Sequence, residues 1–231
     1  MKKFSRKTAE YFFWLIALLH LCSLLFGFIM DASITKVMLM PALFVCYWTL
    51  AAESKVMLPL LFALFFSWAG DVLLIFTAMH PVFFLAGLCS FFLAHSAYIT
   101  IFIKQGKRII WDKVGIIVLA IAIANLTIML NVLLPYLKLD LIIPVVAYGG
   151  ILSLLMVTSL SLRERLKKHW EMLLAGIILF IFSDMLIAFR QFRSELISFL
   201  PVASFWIMLT YIFAQYLIVR ALSKIGNAVQ T

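Results

Sequence analysis

Long apolar runs follow one another along almost the whole chain, broken only by short polar connections. They cover roughly Tyr11–Met30, Lys36–Ala52, Val56–Met79, Val82–Ile103, Val114–Leu137, Leu141–Leu162, Trp170–Phe189 and Leu196–Leu222. An α-helix of about 20 apolar residues crosses the hydrocarbon core of a bilayer. In lipid, every backbone polar group must be satisfied internally, so only helices and closed barrels can span. Barrel strands alternate apolar and polar residues, and these runs do not alternate. Composition closes the other routes. With 66% apolar and 13% charged residues, a soluble domain of this size would leave too much apolar surface in water. A disordered chain needs the opposite balance. The sequence predicts an all-α membrane protein of eight transmembrane helices, with residues 1–231 forming one polytopic domain and no linker dividing it.

The net charge is +9, from 19 Lys and Arg against 10 Asp and Glu. Their placement reads as topology rather than nucleic-acid binding, and no nucleic-acid partner is expected. With the N-terminus in the cytoplasm, fifteen of the nineteen basic residues fall on that side, and only Lys36, Lys138, Arg190 and Arg193 on the other. The excess of basic residues in cytoplasmic loops then puts both termini inside, in a cell membrane, with a bacterial inner membrane as the expected one. Cys22, Cys46 and Cys89 all lie in apolar runs without CxxC spacing, so no disulfide framework is expected. The first run has no small-residue cleavage site and reads as a span, not a signal peptide.

A weak repeat appears at an offset of 113 residues. GDVLLIF at 70–76 aligns with SDMLIAF at 183–189, and AYI at 97–99 with TYI at 210–212. This maps the third and fourth runs onto the seventh and eighth. An offset of four helices preserves orientation, so the repeat predicts a parallel 4+4 arrangement about an axis along the membrane normal.

Most charges sit at the ends of the runs, but Asp71 and Asp184 lie inside the third and seventh. A carboxylate within a membrane costs at least about 2.5–3.5 kcal/mol, which marks it as a functional candidate. The alternative is a structural carboxylate that pairs helices. At 1.5 Å rise per residue, Asp71, Asp184 and Tyr148 share a layer roughly 10 Å below the outer ends of their helices. Lys36, at the head of the second run, is expected at the outer surface above them. His95 lies deeper, with Tyr98 one turn further on the same face, and Gln215 is also deep. The four histidines do not share a depth, so no metal site is expected. No P-loop, GxGxxG or GxSxG is present.

These residues carry a resemblance. The pieces TKVMLMP at 35–41, FSWAGDVLLI at 66–75, GLCSFFLAHSAYI at 87–99, AGIILFIFSDMLIAFRQF at 175–192 and LTYIFAQYLI at 209–218, with Tyr148, follow the order and spacing of a known family. The chain resembles the YhhN family of integral membrane lysoplasmalogenases. The family often has Pro directly after the helix 2 lysine, where this chain has Val37, a departure that bears on where that helix starts. The resemblance implies hydrolysis of the vinyl ether bond of a lysophospholipid substrate held in the bilayer, without a cofactor. It also implies that Asp71 and Asp184 are the catalytic pair, with Lys36, His95, Tyr98, Tyr148, Tyr211 and Gln215 as substrate-binding candidates.

The chemistry of the residues fits that implication. Vinyl ether hydrolysis protonates the β-carbon, passes through an oxocarbenium ion and adds water. Two carboxyls in a low-dielectric site do not both ionise cheaply, so one is available as the acid and the other as the stabilising anion. Glycosidase carboxylate pairs divide the work in the same way. A lysolipid flippase or a proton-coupled carrier would also use two intramembrane acids and repeated halves.

Overall fold

The computed structural model describes residues 6–51, 56–200 and 202–227. Lys2, Lys3 and Lys55, which contribute to the charge count, and both chain termini lie outside the described residues. Eight long helices run through the described chain. They are α1 (Arg6–Phe26), α2 (Ile29–Ala51), α3 (Met57–Ile75), α4 (Val82–Gln105), α5 (Lys113–Leu133), α6 (Leu139–Ser159), α7 (Lys168–Phe192) and α8 (Ala203–Asn227). A single helical turn at Arg163–Leu166 and three short 3₁₀ turns join them, and no strand occurs among the described residues. Seven helices are long and apolar enough to cross a membrane, and α2 adds the shorter apolar stretch Ala32–Trp48. The chain is a multi-pass membrane protein.

Two helix starts differ from the sequence expectation. The last helix begins at Ala203 rather than near Leu196, after a 3₁₀ turn at Ser194–Ile197. Pro201 in the sequence disfavours helical backbone at the residue before it. At the other end of the chain, α2 begins at Ile29. Lys36 is therefore two turns inside the helix, not at its head. Counting apolar residues starts a span where hydropathy rises, but a helix propagates through polar residues such as Ser33 and Thr35 as readily as through apolar ones. Val37 in place of proline leaves that propagation unbroken. The proline that is inside α2, Pro41, supplies no N–H to the Val37 carbonyl one turn earlier. The indole N–H of Trp68 on α3 donates to that carbonyl at 3.0 Å, which ties α2 to α3.

Six helices form a closed ring in the order α2, α3, α4, α6, α7, α8, with α8 returning to α2. α1 packs outside the ring against α2 and α8, and α5 packs outside it, mainly against α6. Shifting each helix number by four carries the ring onto itself and exchanges α1 with α5. This adjacency is what a parallel four-helix repeat requires. The two most extensive helix pairs, α3 with α4 and α7 with α8, are also equivalent under that shift. Both rely on a residue without a side chain. A Cβ on Gly70 would lie 2.7 Å from the Phe91 ring on α4, and one on Gly176 would lie 2.9 Å from Ile218 on α8. Small residues at such points let helix backbones approach in a membrane, where packing rather than water exclusion drives association.

Polar contacts fasten one end of the bundle. The Lys107 amide donates to the Ser161 carbonyl at 2.8 Å, and Arg165 donates to the Gln105 carbonyl at 2.9 Å. Arg163 pairs with Asp112, whose side chain also accepts from the Gly115 amide at 2.9 Å and caps α5. Arg220 on α8 binds Glu10 on α1 and donates to the Tyr216 hydroxyl at 2.8 Å.

Candidate functional site

Asp71 and Asp184 are both buried inside the ring, at 2% and 6% exposure. Each sits at the centre of its own hydrogen-bonded group. The Tyr211 hydroxyl on α8 donates to Asp71 Oδ2 at 2.7 Å, and Lys36 Nζ on α2 lies 3.7 Å from Asp71 Oδ1. Gln215, one turn after Tyr211, donates its amide to Ser67 Oγ at 2.9 Å and accepts from the Tyr98 hydroxyl at 2.7 Å. Ser67 is itself one turn before Asp71, so α3, α4 and α8 are laced together beneath the carboxylate. In the second group, the Tyr148 hydroxyl on α6 donates to Asp184 Oδ2 at 2.7 Å. His95 Nε2 on α4 lies 3.4 Å from the same oxygen and 3.2 Å from the Tyr148 hydroxyl.

The two groups share the four-helix shift. Asp71 on α3 is met from α2 and α8, and Asp184 on α7 is met from α6 and α4. The side chains break the symmetry. Tyr98, at the position equivalent to Tyr211, bonds Gln215 rather than Asp184. His95 and Tyr148 take the place beside Asp184.

All eight residues singled out in the sequence fall into these two groups, in different positions. Lys36, Asp71 and Tyr211 face a cavity of about 640 Å³ at the end of the bundle where α1, α3 and α7 finish and α2, α4 and α8 begin. Asp184 and Tyr148 border a small adjoining apolar pocket of about 30 Å³. His95, Tyr98 and Gln215 are fully buried and line neither space. His95 and Gln215 hydrogen-bond to residues that do, and Tyr98 is tied to them through Gln215. Lys36 is drawn down onto Asp71 rather than left at the surface.

Leu74, Phe84, Phe91 and Ile187 line both spaces and form the wall between them. Behind it, Phe91, Phe180, His95 and Tyr211 pack edge to face, with the His95 and Phe180 rings 4.7 Å apart and Phe180 5.5 Å from Tyr211.

Sequence reasoning missed this aromatic partition and also missed His20 and Arg190, which line the large cavity. The partition had a signal. Phe91 and Phe180 lie one helical turn before His95 and Asp184, on the same faces. Arg190 had none beyond its charge, because an arginine at a helix end is an ordinary topogenic residue. Among the described residues, no three His, Cys, Asp or Glu side chains come together as a metal-binding group.

The profile of the YhhN family matches residues 32–222. No curated protein and no solved structure matches the chain.

Proposed function

The chain belongs to the YhhN family, and from that premise we propose that it is a membrane lysoplasmalogenase. It hydrolyses the vinyl ether bond of a lysoplasmalogen to a fatty aldehyde and a glycerophospho-base. The observation that carries this reading is the placement of Asp71. It is a buried carboxylate that faces a cavity of ligand size, with a cation beside it and a second buried carboxylate behind one apolar wall. Cavities that bind small molecules commonly enclose about 300–1,000 Å³.

The cavity is divided in a way that suits an amphiphile. Lys36 and Arg190 offer positive charge for a phosphodiester, and Leu74, Phe84, Phe91 and Met208 offer apolar surface for a single chain. In the proposed reaction, one carboxyl in its acid form gives a proton to the β-carbon of the vinyl ether, and the C=C π electrons form the new C–H bond. The positive charge then rests on the oxocarbenium carbon and oxygen. The other carboxyl, ionised, stabilises that charge. Water adds to the carbon, and the hemiacetal collapses to aldehyde as the glycerol oxygen takes up a proton. The proton lost by the water balances the one first donated. Tyr211 and Tyr148 hold each carboxyl by one oxygen, which orients the other, and fixed dipoles of this kind stabilise developing charge without reorganisation.

The proposed arrangement in the membrane is eight crossings, α2 being the eighth, with both termini cytoplasmic and the whole chain one domain. The cavity then opens toward the outer leaflet of a bacterial inner membrane. The test is aldehyde release from a lysoplasmalogen by purified protein in detergent, with no gradient present. Release that disappears in Asp71→Asn supports the reading. A carrier would release none.

A further inference from the structure

His20 on α1 is 1% exposed and lines the large cavity, yet it belongs to neither carboxylate group. Its Nδ1 lies 3.0 Å from the Thr35 hydroxyl on α2, and its Nε2 has no hydrogen-bond partner. We assign the tautomer from Thr35. That hydroxyl has one hydrogen, which it donates to the Ala32 carbonyl at 3.2 Å. It therefore accepts from His20, so Nδ1 carries the hydrogen. In the neutral imidazole, Nε2 is then a bare acceptor on the cavity wall. A buried polar atom without a partner is costly, and native structures rarely leave one. An acceptor of this kind calls for a ligand that brings a donor.

We infer that His20 Nε2 accepts a hydrogen bond from the free glycerol hydroxyl of a single-chain phospholipid whose phosphate is held by Lys36 and Arg190. This rests on the lysolipid reading above and adds the residue that tells a lysolipid from a lipid substituted at that position. Lys36 and Arg190 line the same cavity as His20. Arg190 is fixed by a 2.8 Å hydrogen bond to Ser204 Oγ. A phosphate needs the two cations, and the hydroxyl two carbons from it needs an acceptor. His20 precedes residue 32, where the family match begins, so the inference concerns this chain's own α1.

The test uses two non-hydrolysable lipids, 1-O-alkyl-glycero-3-phosphocholine and its 2-O-methyl ether. The choline head group has no hydrogen-bond donor, so the pair differ in the one donor at issue. Binding to the purified full chain in detergent micelles is measured by calorimetry or fluorescence. Wild type is expected to bind the free hydroxyl about tenfold more tightly, the usual worth of a buried hydrogen bond left unmade. His20→Phe is expected to bind the two lipids equally. His20→Gln, whose amide oxygen can still accept, is expected to keep part of the preference.

Equal binding of the two lipids by wild type overturns the inference without any variant. A full preference in a folded His20→Phe protein also overturns it. If wild type releases aldehyde but shows no preference, this inference falls and the enzymatic reading stands. If it shows the preference but releases none, the hydroxyl site stands and the enzymatic reading falls.

Discussion

Tyr211 donates a 2.7 Å hydrogen bond to Asp71 from a position 140 residues further along the chain. Under the four-helix shift, Tyr98 stands where Tyr211 stands, but Asp184 takes its hydrogen bond from Tyr148 instead. Two carboxylates at equivalent places in a pseudo-symmetric ring therefore have different surroundings. Asp71 has a lysine and an open cavity, and Asp184 has a tyrosine, a histidine and an apolar pocket. Divided roles in one reaction need that kind of inequality.

Asp71→Asn and Asp184→Asn keep shape and hydrogen-bonding capacity, so both proteins are expected to fold. Positioned acid–base groups contribute about 10²–10⁴ in rate. Each variant should lose at least about a hundredfold in kcat for aldehyde release, with KM changed little. The double variant should be little worse than the worse single, because groups acting as a unit are not additive. Wild-type turnover by a folded Asp184→Asn protein would falsify the paired mechanism.

Tyr98 and Tyr211 separate support from contact. Tyr98→Phe leaves the buried Gln215 carbonyl oxygen without its donor, at a cost of about 1 kcal/mol. It should lower Tm more than it lowers kcat. Tyr211→Phe removes the donor on Asp71 itself and should do the reverse. Thermal unfolding and kinetics on the same two preparations decide between them.

The wall between the two spaces depends on Gly70. A Cβ there meets the Phe91 ring at 2.7 Å, and overpacking of this kind costs about 1–3 kcal/mol. Gly70→Ala should lower both Tm and activity. Adding Phe91→Leu should recover part of each loss, because the two residues share one contact. Additive losses in the double variant would mean that the ring is not what Gly70 accommodates.

Asp112 lies outside the apolar spans and supports the start of α5. The Arg163 guanidinium and the Gly115 amide hold its carboxyl below the usual carboxylate range. A folded-state value below the unfolded one means the stabilisation is full above the ordinary Asp value of about 4 and fades as pH falls through the lower folded value. Asp112→Ala should lower Tm at neutral pH. Asp112→Asn, which can still cap, should lower it less. The gap between wild type and Asp112→Ala should close on acidification.

Cysteine labelling from either side of the membrane checks the proposed orientation. A residue after α8 and one in the Lys107–Asp112 loop should both be reached from the cytoplasm. Labelling of both from outside would mean that α2, or another of the first four helices, does not cross, and labelling of the two from opposite sides would mean that one of α5 to α8 does not.

The sequence by itself determined the class of the protein and which polar residues lie within its apolar runs. Runs of about 20 apolar residues admit one kind of structure, because lipid satisfies no backbone hydrogen bond. Charges and hydroxyls within such runs are costly enough to stand out one at a time, which is why Asp71, Asp184, Lys36, His95 and Tyr148 were legible without coordinates. Tertiary structure decided everything that depends on pairing across helices. It placed Lys36 against Asp71, gave Tyr98 to Gln215 rather than to Asp184, and put the Phe91 wall between the two acids. It also brought His20 and Arg190 to the cavity. In a run that is apolar on every side, hydropathy carries no record of which face meets which neighbour. Those choices were left to the close approaches at Gly70 and Gly176 and to the few polar groups that had to find partners.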